Sequence, residues 1–361
     1  MIRKIKYIKL LLNNPVQFKN IMKRYLLTKV FSRFTDSYRT IYPTSITWAI
    51  TGKCNYNCVY CGVKNYYMGS DIKPDLGFDQ IKQIIDNMKK YPTKILLIGG
   101  EPLIRKDLFD IMKYLKKSNL KFSLFTNAGL ITEKNVDMIL DSGLEEISIS
   151  FDGKNHSNIC GVRDAFELTM NGISLLSKRK LERGQKTPRL RLVSTLTPKF
   201  KERDYELLLS IAEKNNGINE VSLNNLIFDS HEIGTRKLNL QERFLERFNI
   251  ARIEKWYNEK KTTFTPKGLS KEFVKDWYSF NTPSKESRCI APFNTATLLS
   301  SGQLTQCFFL DSPLGNLIEN DLSKIWDSKD ALSVRKRIKN KKFEKECFRC
   351  CLIEPRFDKK D

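Results

Sequence analysis

Cys54-Asn-Tyr-Asn-Cys58-Val-Tyr-Cys61 places three thiols within eight residues, spaced C-x3-C-x2-C, with an aromatic residue, Tyr60, directly before the last. Thiolates are soft ligands, and a group of them selects an iron–sulfur cluster or zinc. A closed structural zinc site takes four ligands, one more than this stretch offers. Three suffice for a cubane that leaves one iron open to a small molecule. The bland alternative is three unrelated thiols, buried or redox-sensing. A second group lies further on: Cys289 and Cys307 flank Gly302 as C-x12-G-x4-C, and Cys347-Phe-Arg-Cys350 is a C-x2-C pair with Cys351 beside it. Four such thiols would complete a cubane or a zinc site with no open position. Whether Cys350 or Cys351 is the fourth stays open. Cys160 stands alone and is expected to be a small buried hydrophobe. His156 and His231 have no ligand spacing and are expected at the surface.

These residues need a scaffold, and the hydrophobic pattern supplies one. Short β-rich runs at 45–50, 94–98, 121–126, 145–151, 189–195 and 219–224 alternate with helical patterns around 77–90, 107–117, 133–142, 164–183, 201–214 and 240–258. Six βα units in sequence imply a parallel sheet with helices outside. A full eight-unit barrel takes about 250 residues, and these six occupy roughly 210, so a partial, open (β/α)6 barrel is expected. In such folds functional groups gather at the C-terminal ends of strands. The motifs obey that rule. The cysteine triad follows the first strand, Gly99-Gly100-Glu101-Pro102 the second, and Thr126-Asn127-Ala128-Gly129 the third. The fourth strand carries Ser148 and Ser150 and runs into Phe151-Asp152-Gly153. Singly, each glycine stretch would pass for a plain turn; behind a cysteine triad on one rim, that reading weakens.

The division expected is a basic amphipathic segment at 1–44, the barrel at 45–258, a connection at 259–288 punctuated by Pro266, Gly268 and Pro283, and a cysteine-rich unit at 289–361. In the first segment Phe18, Ile21, Met22, Tyr25 and Leu26 fall on one helical face, with Lys19, Lys23, Arg24 and Lys29 around it. That face either lies in a membrane interface or docks on the protein's own body.

Forty per cent hydrophobic and twenty-nine per cent charged residues describe a globular chain, not a disordered one. The nine cysteines sit in tight groups, which argues against a secreted disulfide framework. No apolar run approaches the ~20 residues of a membrane span, and no small-residue cleavage site follows the basic start. A cytoplasmic location is expected, at the inner membrane face if the first segment binds there. The net charge of +22 asks for an anionic partner: membrane, phosphorylated substrate or nucleic acid.

The triad, with Gly99-Gly100-Glu101-Pro102, resembles the radical S-adenosylmethionine (radical SAM) superfamily, and the likeness covers residues 45–225. It implies a [4Fe–4S] cluster on Cys54, Cys58 and Cys61, with S-adenosylmethionine on the open iron, cleaved reductively to a hydrogen-abstracting 5′-deoxyadenosyl radical. It implies that Glu101 and nearby backbone receive the methionine amine and that Tyr60 neighbours the adenine. Ser148 and Ser150 would lie near the ribose and carboxylate, Asn127 at the rim, and Arg163 against the carboxylate. The C-terminal cysteines resemble the SPASM/twitch extension, the shorter twitch form matching better, which implies one auxiliary cluster on Cys289, Cys307, Cys347 and Cys350 that conducts electrons. A reducing partner such as flavodoxin or ferredoxin follows from the same likeness. The expected activity is net oxidation of a lipid- or sugar-type, anionic or membrane-associated substrate. The alternatives are modification of a ribosomal peptide and, from another class, a non-catalytic zinc-knuckle nucleic-acid binder. No residue can be named as a catalytic base.

Overall fold

The computed structural model describes residues 40, 42–61, 74–196, 200–225, 263–264, 288–307, 312–343, 347 and 353–354. The expected N-terminal helix, the helix at 240–258, most of the connection at 259–288, His231, Cys350 and Cys351 lie outside them. The chain alternates β1 (Ser45–Ala49), α1 (Phe78–Met88), β2 (Lys94–Ile98), α2 (Leu108–Lys117), β3 (Lys121–Thr126), α3 (Val136–Asp141) and β4 (Glu146–Ser150). Then come the short α4 (His156–Cys160), α5 (Ala165–Glu182), β5 (Arg189–Leu196), α6 (Glu202–Lys214), β6 (Ile218–Asn225) and β7 (Thr263–Phe264). The last part holds β8 (Arg288–Cys289), α7 (Ala291–Asn294), β9 (Thr295–Leu298), β10 (Gln303–Thr305), β11 (Pro313–Asn316), α8 (Leu322–Trp326), α9 (Lys329–Lys339) and β12 (Ile353–Glu354).

Ten strands form one sheet in the order β11-β10-β9-β1-β2-β3-β4-β5-β6-β7. From β1 to β7 every neighbouring pair is parallel, and the two outermost strands, β7 and β11, do not pair. This is the open α/β barrel that the alternating pattern implied. Period-2 alternation decides what each face carries. Ile46, Trp48, Ile95, Leu97, Phe122, Leu124, Ile147 and Ile149 are buried on one face, under the helices. Those helices present apolar residues at i, i+3, i+4 and i+7: Ile81, Ile84, Ile85 and Met88 in α1, and Leu108, Ile111, Met112 and Leu115 in α2. The inner face is more polar, and β4 and β5 set Ser148 opposite Arg191 there.

The cysteine-rich part does not stand apart from this sheet. β9 runs parallel to β1, with Ser45 opposite Thr295, and β10 and β11 continue outward as antiparallel strands. Side chains fasten the junction. Asn87 of α1 donates to the carbonyls of Leu317 and Asn320 and accepts from the Leu322 amide, while Lys90 and the Tyr91 hydroxyl both meet Asp321. The Trp326 indole N–H donates to Thr40 at 2.7 Å, and the buried Arg335 guanidinium stacks on the Trp326 ring while donating to the Pro292 and Trp326 carbonyls.

Candidate active site

β1 delivers the chain to the rim, and the turn that follows is held from below. The Thr51 hydroxyl and the Gly52 amide both donate to Asp75, at 2.7 and 3.1 Å. Arg105, paired with Asp107, donates to the carbonyls of Ile50 and Leu76. Neither Asp75 nor Arg105 carries a local sequence signal, since both act across the rim.

Gly99 and Gly100 let the next strand end press against this turn. The Gly100 amide donates to the Thr51 carbonyl and the Glu101 amide to the Lys53 carbonyl. A Cβ on Gly100 would stand 2.1 Å from the Lys53 carbonyl oxygen; on Gly99, whose φ is +152°, it would stand 2.3 Å from that of Thr51. Only glycine permits this approach.

Glu101 is buried. One carboxylate oxygen accepts from the Leu103 amide and the Thr126 hydroxyl, the other from the Asn127 amide at 2.8 Å. A carboxylate has about four acceptor positions, so room for one more donor remains. Burial pushes its pKa up to about 7 against these hydrogen bonds. Asn127 ties the rim together: its side-chain amide donates to Asn55 of the cysteine loop and its side-chain oxygen accepts from the Gly129 amide. Pro102 is buried at the start of a 3₁₀ turn, Pro102–Ile104, capped by Glu101.

Under the loop runs a buried polar chain. The Tyr60 hydroxyl donates to Asp152 at 2.5 Å, and the other Asp152 oxygen accepts from the Thr195 amide at 2.8 Å. Burial, then the neighbouring Asp152 charge, raises the Tyr60 pKa well above the usual phenol range. The Asp152 amide donates to His156 Nδ1, and His156 Nε2 faces the Thr169 hydroxyl at 3.2 Å. The hydroxyls of Tyr56 and Thr169 lie 3.3 Å apart. The expectation of a surface histidine is therefore wrong for His156, which is wholly buried. An imidazole with both nitrogens partnered is an acceptable core group, and the short α4 is too brief to show a buried face in its sequence. Cys160, buried as expected, also contacts His156, and the loop residue Cys58 packs against the small cluster of Tyr56, Cys160 and Ala165.

Among the remaining candidates, Ser148 is buried and its hydroxyl accepts from Arg191 Nε and Nη2 at 3.1 and 2.9 Å, while Ser150 sits one pleat nearer the rim, half-buried. Arg163 is exposed in the turn between α4 and α5. In the second thiol group, Cys307 and Cys347 are buried in the main core and Cys289 packs against it. Ile353, a few residues past the C-x2-C pair, is the strand partner of Cys289.

The Cys54 thiol, partly exposed, has a pKa pushed up to about 11 by burial, with Glu101, Cys58 and Cys61 adding repulsion. A rim of thiols beside a buried carboxylate fits a group that brings positive charge, because bound metal converts thiols to thiolates. Among the described residues no three His, Cys, Asp or Glu side chains converge as a metal site; what fits an iron–sulfur cluster is the chemistry of the donors, three soft thiols on one short loop. The fold is an open α/β barrel with these thiols at the strand-end rim.

The Radical SAM superfamily profile matches residues 48–211, and that of the SPASM iron–sulfur cluster-binding domain matches 289–351. The chain belongs to the radical SAM superfamily and carries a SPASM domain. Its cofactors are a [4Fe–4S] cluster, S-adenosylmethionine and an auxiliary cluster, and enzymes of this kind need an electron donor. It is 37% identical over 140 residues to an AdoMet-dependent heme synthase of Methanosarcina barkeri, covering 38% of this chain and 40% of that protein. It is 25% identical over 188 residues to a pre-heme d1 synthase of Dinoroseobacter shibae, covering 51% and 43%. The chain thus spans about two fifths of the length of these curated relatives. Among solved structures it resembles Streptococcus suis SuiB bound to S-adenosylmethionine, with a TM-score of 0.62 at 16% identity, covering 84% of this chain and 70% of that one. That likeness is one of fold. No helix among the described residues is long and apolar enough to cross a membrane.

Proposed function

We propose that the chain catalyses a net oxidation, by dehydrogenation or bond formation, of an anionic substrate of lipid or sugar type. In this reading Cys54, Cys58 and Cys61 hold the S-adenosylmethionine-binding cluster, and Cys289, Cys307, Cys347 and Cys350 the auxiliary one. What supports it is the strand pairing that joins the two thiol-bearing parts: the triad follows β1, Cys307 follows β10, and Cys289, in β8 of the separate β8–β12 pair, precedes β9, the parallel neighbour of β1. In this reading the chain divides after residues 44, 258 and 288 into the basic segment, the barrel, the connection and the cysteine-rich part.

When bound, the first cluster and S-adenosylmethionine supply a hydrogen-abstracting radical, and the auxiliary cluster a place for the substrate's electron. The protein's share is positioning and exclusion of water. Glu101 uses its remaining acceptor position for the methionine amine, and Gly99 and Gly100 keep the backbone flush beneath it. Tyr60, its phenol tied to Asp152, presents its ring toward the adenine. Asn127 and Ser150 serve the ribose side, with Ser148 and Arg191 bracing the strand below. Arg163 reaches the carboxylate from its exposed turn. The net charge of +22 supports an anionic substrate, and contact of residues 1–40 with a membrane at the cytoplasmic face belongs to the same proposal. A tetrapyrrole substrate is the second reading, favoured by the 37% identity to a heme synthase. The non-catalytic nucleic-acid reading falls with family membership.

Anaerobic iron and sulfide analysis tests the assignment. The reconstituted chain should hold about eight irons, and about four should remain in both the Cys54/Cys58/Cys61→Ala and the Cys289/Cys307→Ala variants. 5′-Deoxyadenosine formation should vanish in the first variant and persist in the second. Four irons in the wild type, all lost in the first variant, would remove the auxiliary conduit. Acceleration of 5′-deoxyadenosine release by acidic lipid or sugar phosphate supports the leading substrate class; acceleration by a carboxylated porphyrin alone would replace it with the second.

A further inference from the structure

α7 is a single turn between β8, which carries Cys289, and β9. A helix this short leaves most of its carbonyls without partners inside it. The Ala291 carbonyl accepts from the amide and the hydroxyl of Thr295. The Pro292 carbonyl accepts from two side chains, Gln306 Nε2 at 2.7 Å and Arg335 Nε at 2.9 Å. A carbonyl has two lone pairs, so this one is saturated.

Both donors are wholly buried. Gln306 directly precedes Cys307, and Pro292 stands three residues after Cys289. One acceptor thus cross-links the two segments that carry these cysteines. The Thr305 hydroxyl, donating to the Cys307 carbonyl at 3.1 Å, holds the second segment from its other side. Arg335 brings in a further element. Its Nη2 donates to the Trp326 carbonyl at 2.7 Å, and its guanidinium stacks on the Trp326 ring. Its α9 neighbours Val334 and Ile338 lie in the same core as Cys307 and Cys347.

A buried guanidinium is costly, and a well-packed apolar side chain often does as well for stability. What arginine offers in exchange is a planar fork that donates in fixed directions at once. Here the fork is spent on backbone carbonyls of α7 and α8. We propose that Arg335, with Gln306, sets the register of the Cys289 and Cys307 segments and so determines whether the auxiliary cluster's site can form. This rests on the reading that Cys289 and Cys307 serve that cluster. Arg335 is a positioning residue, with no contact to iron or substrate assigned to it. The described sulfurs do not themselves converge as a metal site; what the clamp fixes is the backbone that presents them.

The test uses the full chain, reconstituted anaerobically, as wild type, Arg335→Met, Arg335→Lys, Gln306→Met and Val334→Ala. Iron per chain and the EPR spectrum of the reduced protein are read with and without S-adenosylmethionine, beside thermal unfolding of the iron-free chain. Arg335→Met and Gln306→Met should each hold about four irons where wild type holds about eight. The EPR signal they lose should be the one that S-adenosylmethionine does not alter. The signal it does alter should remain, as should 5′-deoxyadenosine formation. Arg335→Lys, which keeps a donor without the fork, should recover part of the lost iron. Val334→Ala removes buried packing and no donor, so it should lower the unfolding midpoint and keep all its iron. Full iron and both signals in Arg335→Met and Gln306→Met overturn the proposal. So does loss of the same signal in Val334→Ala, which would make the effect one of general packing. Should Arg335→Met fail to fold, Gln306→Met decides alone. If the Cys289/Cys307→Ala variant keeps wild-type iron and both signals, the assignment of the auxiliary cluster itself has failed, and this inference with it.

Discussion

Glu101 is surrounded by donors yet still holds a pKa near 7, because removal from water outweighs three hydrogen bonds. The sign of its effect on stability follows. Its folded pKa lies above the ordinary 4.5, so its contribution is fully present below pH 4.5 and is lost as pH rises through 7. In the iron-free protein the Glu101→Gln variant should flatten that slope, gaining on wild type by on the order of 3 kcal/mol between pH 5 and 8. Thermal unfolding across that range reads it, and parallel curves would refute it. With iron bound, the same variant should keep its cluster and lose S-adenosylmethionine affinity about tenfold or more, the scale of a hydrogen bond to a charged group. Asp152 is a second residue-scale case. It accepts from Tyr60 and Thr195, so Asp152→Ala strands a buried phenol and a backbone amide together. It should cost about 2–4 kcal/mol in denaturant titration, against about 1 for Tyr60→Phe.

The two strand ends at the rim work as a pair of elements, one supplying ligands and the other a flat backing. Gly100→Ala forces a Cβ into the Lys53 carbonyl, where backbone cannot yield as a side chain tip could. The far-ultraviolet circular dichroism should stay near wild type while the iron retained per chain falls severalfold. Normal iron content would show that the loop has room the packing denies it. Beneath the rim, helix burial sets the stiffness. Leu115 of α2 is fully buried, and Leu115→Ala should cost about 2–5 kcal/mol in transfer and cavity terms.

At the scale of the molecule, the sheet joins the two thiol-bearing parts, and Asn87 closes the seam on the helix side with three hydrogen bonds to residues 317–322. Removing it leaves two carbonyls and an amide without their partner. Asn87→Ala should lower the unfolding midpoint by a few degrees and speed proteolysis within 312–343 more than within 94–150. Equal protection in both regions would mean that strand pairing between β1 and β9 holds the parts together unaided.

Much of this was legible in the chain itself. The six parallel strands and the helices described between them announced themselves because apolar residues recur at period 2 in the strands and near 3.6 in α1 and α2, and each strand begins within a residue of its expected place. The thiol triad was legible because its ligands are close in sequence, and the glycine pair because it follows a strand directly. What lay beyond reach were contacts made across the rim: Asp75 and Arg105 on the turn after β1, Asp152 on Tyr60, and the burial of His156. Local spacing carries no record of partners dozens of residues away. The extension of the sheet by β9 was equally hidden, since a four-residue strand shows little periodicity and its place beside β1 is chosen by pairing and packing. Sequence determined which residues could do the chemistry; the tertiary structure decided which of them meet, because only the folded chain brings α4, β5 and β9 to the end of β1.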